Sequence, residues 1–186
     1  MSNIEVTGTR TPFVWSVVIA GALAAWAVSF IFIALGSGIG LAVSSPYSGP
    51  GPTTMTIGGA IWLVFAQTCA YATGGYLAGR LRVRDHLPGP ETMFRDAAHG
   101  FMAWVVGVGI MAAVIAVAAT FAPASGEASL SDAARTAAAY LSFWTFVALL
   151  FGAVAATLAG ILGGELRDED PEITRSGRRR SIARAR

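Results

Sequence analysis

The sequence predicts an all-α, polytopic integral membrane protein with four transmembrane helices. Two observations lead there. From Thr11 to Gly79, 69 consecutive residues include no Asp, Glu, Lys, Arg or His, and the same silence returns over Gly100–Gly126 and Thr136–Gly164. A water-exposed surface needs charged groups to be wetted, whereas a bilayer-embedded helix hairpin does without them. The 186 residues are also 54% hydrophobic and only 13% charged, which is membrane-class composition.

The first span covers residues 13–43. At 1.5 Å rise per residue it is longer than the ~30 Å hydrocarbon core, so tilt or an interfacial extension is expected. Its apolar run exceeds a cleavable signal peptide's and three more spans follow. Residues 44–55, SSPYSGPGPTTM, form a Pro- and Gly-rich connection to the second span at 56–79. A charged loop, Arg80–Arg95, leads to the third span at 97–121. Pro123–Arg135 connects that to the fourth, at 137–164. Residues 1–12 and 165–186 are tails, and the second is expected to be largely disordered.

All 13 basic residues are arginine, and their distribution orients the chain. Four lie in the Arg80–Arg95 loop and seven between Arg167 and Arg186, while the other side has Arg135 alone. The positive-inside bias puts both termini and the middle loop in the cytoplasm, with the chain in a bacterial inner membrane. Arg175, Arg178, Arg179, Arg180, Arg184 and Arg186 follow an acidic patch at 168–172. Anionic lipid headgroups are their expected partner, and nucleic acid is not.

The two halves echo each other. Ala25-Trp26 after Gly21 matches Ala103-Trp104 after Gly100. Gly79-Arg80-Leu81-Arg82 matches Gly164-Glu165-Leu166-Arg167. Duplication of a hairpin would give two tandem units in the same orientation; chance similarity among Ala/Gly/Trp-rich spans is the alternative. If the repeat is real, Arg80 and Glu165 are placed to pair across the bundle, although each can equally find water.

Small residues recur every fourth position as Ala66, Ala70, Gly74, Ala78 and as Gly152, Ala156, Gly160, Gly164, with Gly36 and Gly40 as a further step. Such stripes let helix backbones approach closely, which drives association where apolar burial contributes little. Trp15 and Trp62 read as interface anchors, and Trp26 as a deeper packing residue. Cys69 reads as a small packing residue.

Chemistry is sparse. Gln67 is the polar candidate nearest the midplane and reads first as interhelical glue, second as the lining of a polar path. Arg95, Asp96 and His99 can share one helix face at the cytoplasmic boundary. One histidine and one carboxylate are too few for a metal site, so a capping or salt-bridge role is expected ahead of binding or pH sensing. No catalytic residue, cofactor or metal is assigned.

Trp15 with Ala20-Gly21, the glycine run Leu35–Ala42, Ile57-Gly58-Gly59-Ala60-Ile61-Trp62, Gly74-Gly75-Tyr76-Leu77-Ala78-Gly79-Arg80, His99-Gly100 with Trp104, and the Gly152–Gly164 span together carry a resemblance. The chain resembles bacterial multi-helix membrane proteins labelled PhnA-like, or of the YrzE-type membrane family. The resemblance implies a helical membrane fold and carries no activity; the label implies no phosphonate chemistry. The longer charged loop before His99 and the Arg-rich tail depart from it. The expected role is a structural or accessory membrane protein that associates with itself or with a larger complex through its Gly/Ala-rich faces. An oligomeric channel or transporter for a small solute is the second reading.

Overall fold

A computed structural model describes residues 13–43, 52–83, 89–121 and 131–169. Within them the chain forms four helices: α1 (Trp15–Val43), α2 (Pro52–Arg80), α3 (Gly89–Thr120) and α4 (Asp132–Glu169). Each is long and apolar enough to cross a membrane.

The helices begin earlier than the hydrophobic pattern suggests. α2 starts at Pro52, so the Pro-Thr-Thr-Met segment expected in a connection is its first turn; proline's fixed φ suits that position. α3 starts at Gly89 rather than near Ala97. Pro90 again sits in the first turn, Glu91 offers a carboxylate to the helix N-terminus, and Arg95 Nε donates to Glu91 Oε1 at 2.9 Å one turn later. α4 starts at Asp132 rather than Ala137, with the Arg135 N–H donating to the Ser131 carbonyl at 3.0 Å. It also runs on to Glu169, so the first residues assigned to a disordered tail are helical. Residues 44–51, 84–88, 122–130 and 170–186, with the basic tail, lie outside the described residues.

α2 and α3 occupy the middle, with α1 against one side of them and α4 against the other; α1 and α4 do not touch among the described residues. The register is read from backbone approaches. A Cβ at Gly75 would fall on the Ala156 carbonyl, and one at Gly79 on the Gly160 carbonyl, so α2 and α4 run in the same direction. Gly21 approaches both Gly74 and Ala103, and Trp26 Nε1 donates to the Gly107 carbonyl at 3.2 Å. These contacts align α1 with α3 and oppose it to α2. The fold is therefore two hairpins, α1–α2 and α3–α4, in one orientation.

The packing is inverted relative to a soluble bundle. Inside are Val18, Ala22, Ala25, Ala70, Ala78, Ala103 and Ala156, while Leu23, Phe30, Ile31, Phe65, Phe94, Phe146, Phe151 and Leu158 are exposed. Apolar surface on this scale is not left to water by a soluble monomer. The close approach is also confined to one end. Among the described residues, none of α1 after Ala25, of α3 after Gly107 or of α4 before Ala148 is buried. Toward the other end α1 and α2 stay joined, Trp62 Nε1 donating to the Phe32 carbonyl at 3.2 Å and its ring covering Gly36. Trp62 thus ties two helices together, a role different from the expected interface anchor. Residues 112–120 of α3 are exposed on every face.

The same chemical change should have opposite effects at two glycines. Gly75→Ala drives a methyl into the α4 backbone and is expected to cost about 1–3 kcal/mol. Gly109→Ala, which meets nothing within 4 Å, should be neutral or gain up to about 1 kcal/mol from helix propensity. Reversible unfolding in mixed micelles, followed by circular dichroism, measures both.

Candidate functional site

The polar centre of the molecule lies at the tightly packed end, where α2 finishes, α3 begins and α4 finishes. Asp96, 2% exposed, projects from the second turn of α3. Arg82, just beyond α2, donates from Nε to Asp96 Oδ1 at 2.7 Å. Arg167, in the last turn of α4, donates from Nη1 to Oδ1 and from Nη2 to Oδ2, each at 3.2 Å. A planar guanidinium meets a carboxylate in this two-pronged way, which fixes orientation as well as charge.

Arg167 does more than neutralise Asp96. Its Nη1 also donates to the Gly79 carbonyl at 3.0 Å and the Arg82 carbonyl at 3.4 Å. The last carbonyls of a helix lack partners within it, so a cation placed there both satisfies them and complements the helix dipole. The other edge of the guanidinium holds Asp168, at 2.9 Å from Nε and 3.2 Å from Nη2. Two arginines and two aspartates leave the cluster formally neutral.

Glycine makes room for it. A Cβ at Gly164 would fall on the Asp96 carboxylate, and one at Gly160 would lie 2.7 Å from the Asp96 carbonyl oxygen. The α4 stripe therefore seats the α3 carboxylate at one end, while Ala156 and Gly160 take the backbones of Gly75, Gly79 and Gly100 further along.

His99, one turn beyond Asp96, is 3% exposed. Its Nε2 accepts the Val14 N–H at 3.2 Å and its Nδ1 lies 2.7 Å from the Arg95 carbonyl. The Phe13 ring stacks on the imidazole, centroids 4.2 Å apart at 21°. Arg95 turns away from this face toward Glu91, so the three residues expected on one face divide: Asp96 and His99 inward, Arg95 outward. The helix turns by about 100° per residue, and the two adjacent residues Arg95 and Asp96 cannot both face the centre.

The remaining candidates are dispersed. Ala66, Ala70, Gly74 and Ala78 are buried, the last two against α1 at Gly21. Gly152 meets Tyr71 and Trp104; Gly36 meets Trp62; Gly40 meets nothing within 4 Å. Gln67 Oε1 and Trp104 Nε1 are buried polar atoms with no partner among the described residues. Arg80 is partly buried and Glu165 is exposed; the ion pair that crosses between the hairpins is Arg82 with Asp96.

Arg82 and Arg167 were the residues that sequence reasoning passed over, although a signal for them was present. In the matched segments GRLR and GELR, the position that keeps its charge is the final arginine, not Arg80 or Glu165. Chemically the cluster is closed. Both Asp96 oxygens accept arginine N–H groups and both His99 nitrogens are engaged, so neither offers a free base to a substrate. Among the described residues no three His, Cys, Asp or Glu side chains gather to hold a metal. No family model, curated protein or solved structure matches the chain.

Asp96→Ala removes the carboxylate that both buried guanidinium groups share and should cost about 3–5 kcal/mol of stability. Replacing the group together, with Arg82→Met, Asp96→Leu and Arg167→Met, should recover most of that loss, since apolar side chains of similar volume need no charge partner. Arg95→Ala, which removes an exposed pair, should change stability by less than about 1 kcal/mol. The same micelle unfolding assay ranks the three.

Proposed function

We propose that this chain is a non-enzymatic structural or accessory protein of the bacterial inner membrane, with both termini cytoplasmic. The observation that carries the reading is the inverted packing. Small residues fill the interior and large apolar ones face out, while the charges of Arg82, Asp96, Arg167 and Asp168 neutralise one another at one end. Four helices of spanning length, each with a long apolar segment, support insertion, and the arginine-rich loop and tail support the orientation. The resemblance to PhnA-like and YrzE-type membrane proteins is in keeping with this and adds no activity.

The Gly/Ala stripes are largely taken up within the chain, so association with a second copy or a larger complex falls to other surfaces. The outer halves of α3 and α4 stand clear of their own bundle, with Gly109 open on α3. The basic tail would hold anionic headgroups or a partner's acidic surface.

A second reading, an oligomeric channel or transporter for a small solute, is favoured by one observation. Gln67 Oε1, an acceptor, and Trp104 Nε1, a donor, are both buried at mid-helix without protein partners among the described residues. Unmatched polar atoms are costly in an apolar interior and suit a polar occupant.

Purification in mild detergent with mass determination of the intact assembly separates these readings. A discrete hetero-complex or homo-oligomer is expected for the accessory role, and a bare monomer with no co-purifying protein counts against it. Under the transport reading, Gln67→Leu with Trp104→Phe should abolish flux of small neutral solutes into proteoliposomes; unchanged flux removes that reading.

A further inference from the structure

We propose that His99 is a pH-operated latch that holds the beginning of α1 against α3 and releases it on acidification. This goes beyond the accessory role and stands on the geometry of three contacts. Nε2 accepts the Val14 N–H, so it carries no proton in the closed state. Nδ1 faces the Arg95 carbonyl at 2.7 Å, an acceptor only, so Nδ1 carries the proton and donates it. The closed latch therefore requires the neutral imidazole in a single tautomer. Val14 lies one residue before α1, where backbone N–H groups have no partner within the helix. His99 supplies the partner from another helix, 85 residues along the chain.

Adding a proton at Nε2 turns that acceptor into a donor. Two N–H groups then face each other, and the Val14 hydrogen bond is lost. The Arg95 bond survives, because Nδ1–H is common to both forms, so the ring stays on α3 while Phe13 and Val14 are let go. The closed state binds one proton fewer than the released state, and falling pH drives release. Charged groups near the ring come from two elements: Arg82 beyond α2, and Asp96 and Arg95 on α3. α4 contributes Arg167, which is engaged with Asp96. The described residues of α1 and its approach, 13–43, bring no charge. These groups set where the titration falls, not what it does to the Nε2 contact. With the orientation proposed above, the latch reads cytoplasmic pH; its operation does not depend on that orientation.

The test uses the full chain in lipid nanodiscs. His86→Asn leaves His99 as the sole histidine, whose ring ¹⁵N shifts report tautomer and protonation between about pH 8 and pH 4. The expected result is one neutral Nδ1–H tautomer at the upper end. On acidification the imidazolium should appear while amide exchange of the peptide containing Val14, corrected for intrinsic pH dependence, accelerates roughly tenfold or more. In His99→Gln that protection should no longer vary with pH. The latch is overturned by an Nε2–H tautomer at pH 8, by no titration above about pH 4, or by Val14 protection that stays constant while His99 titrates. Acid release that persists in His99→Gln overturns it too. The tautomer and titration readings come from a chain with native His99, so they decide even if the glutamine variant does not fold.

Discussion

Everything in this bundle depends on how closely its helix backbones approach. Apolar side chains gain little by leaving lipid for one another, so helices in a membrane associate through dense van der Waals contact and satisfied polar groups. Here that contact is reached by removing side chains. Gly75 and Gly79 lie on the α4 backbone at Ala156 and Gly160, Gly21 lies against Gly74, and Gly100 lies against the same α4 segment. A contact at this range between backbones is intolerant of slippage, because moving α2 by one residue either way puts Ala78 or Arg80 where Gly79 meets the α4 backbone. The stripes therefore set register as well as proximity.

Register in turn allows a buried charge cluster. Asp96 sits where Gly164 leaves a vacancy, and the two arginines reach it from the ends of α2 and α4. A carboxylate buried without such partners would be expelled or neutralised, and an arginine without one would be drawn to water. The three-way pairing is stable only if α2, α3 and α4 end at one level, which the glycine crossings dictate. Arg167 closes the arrangement by capping the Gly79 carbonyl at the end of α2 and the Arg82 carbonyl just beyond it. The asymmetry shows when the two echoing halves are laid on each other. With Trp26 laid on Trp104, Ala25 falls on Ala103 and Val18 on Asp96, and Val18 and Asp96 are the two largest fully buried side chains. Arg82 and Arg167 match in the same way across the second halves. One half of the molecule holds an acid where the other holds a valine, so Asp96 is shared by both arginines while Asp168 adds a second carboxylate to Arg167 alone.

Much of this was legible in the sequence. Absence of charge located four helices, and four-residue spacing of Gly and Ala located the faces that meet. Helix starts were less legible because hydropathy marks where a helix is apolar, whereas Pro52, Pro90 and Asp132 start helices through backbone and dipole effects within polar sequence. The site was half legible. Asp96 and His99 stood out as rare ionisable groups beside a span. Arg82 and Arg167 were hidden among arginines that read as topology signals, since composition does not separate a solvated arginine from one that turns inward. That the stripes are consumed within the chain was also beyond reach, because a small-residue face looks the same whether its partner is the next helix or another molecule.

The two ends of the bundle make different demands on whatever the protein does. At the clasped end, glycine contacts, the Asp96 cluster and the His99–Val14 bond join all four helices, and each is specified by residues that tolerate little change. Beyond Ala25, Gly107 and Ala148 the described residues of α1, α3 and α4 are no longer buried, while α2 still buries Ala60 and Ala66 there, and residues 112–120 of α3 are exposed. A midplane ionisable group would be needed to couple proton or ion movement to a change of shape between those ends. The described residues at that depth offer Gln67, Tyr71 and Trp104 instead, which are polar without carrying charge. The two ends are thus built from opposite materials, small residues and paired charges at one and outward-facing large apolar side chains at the other.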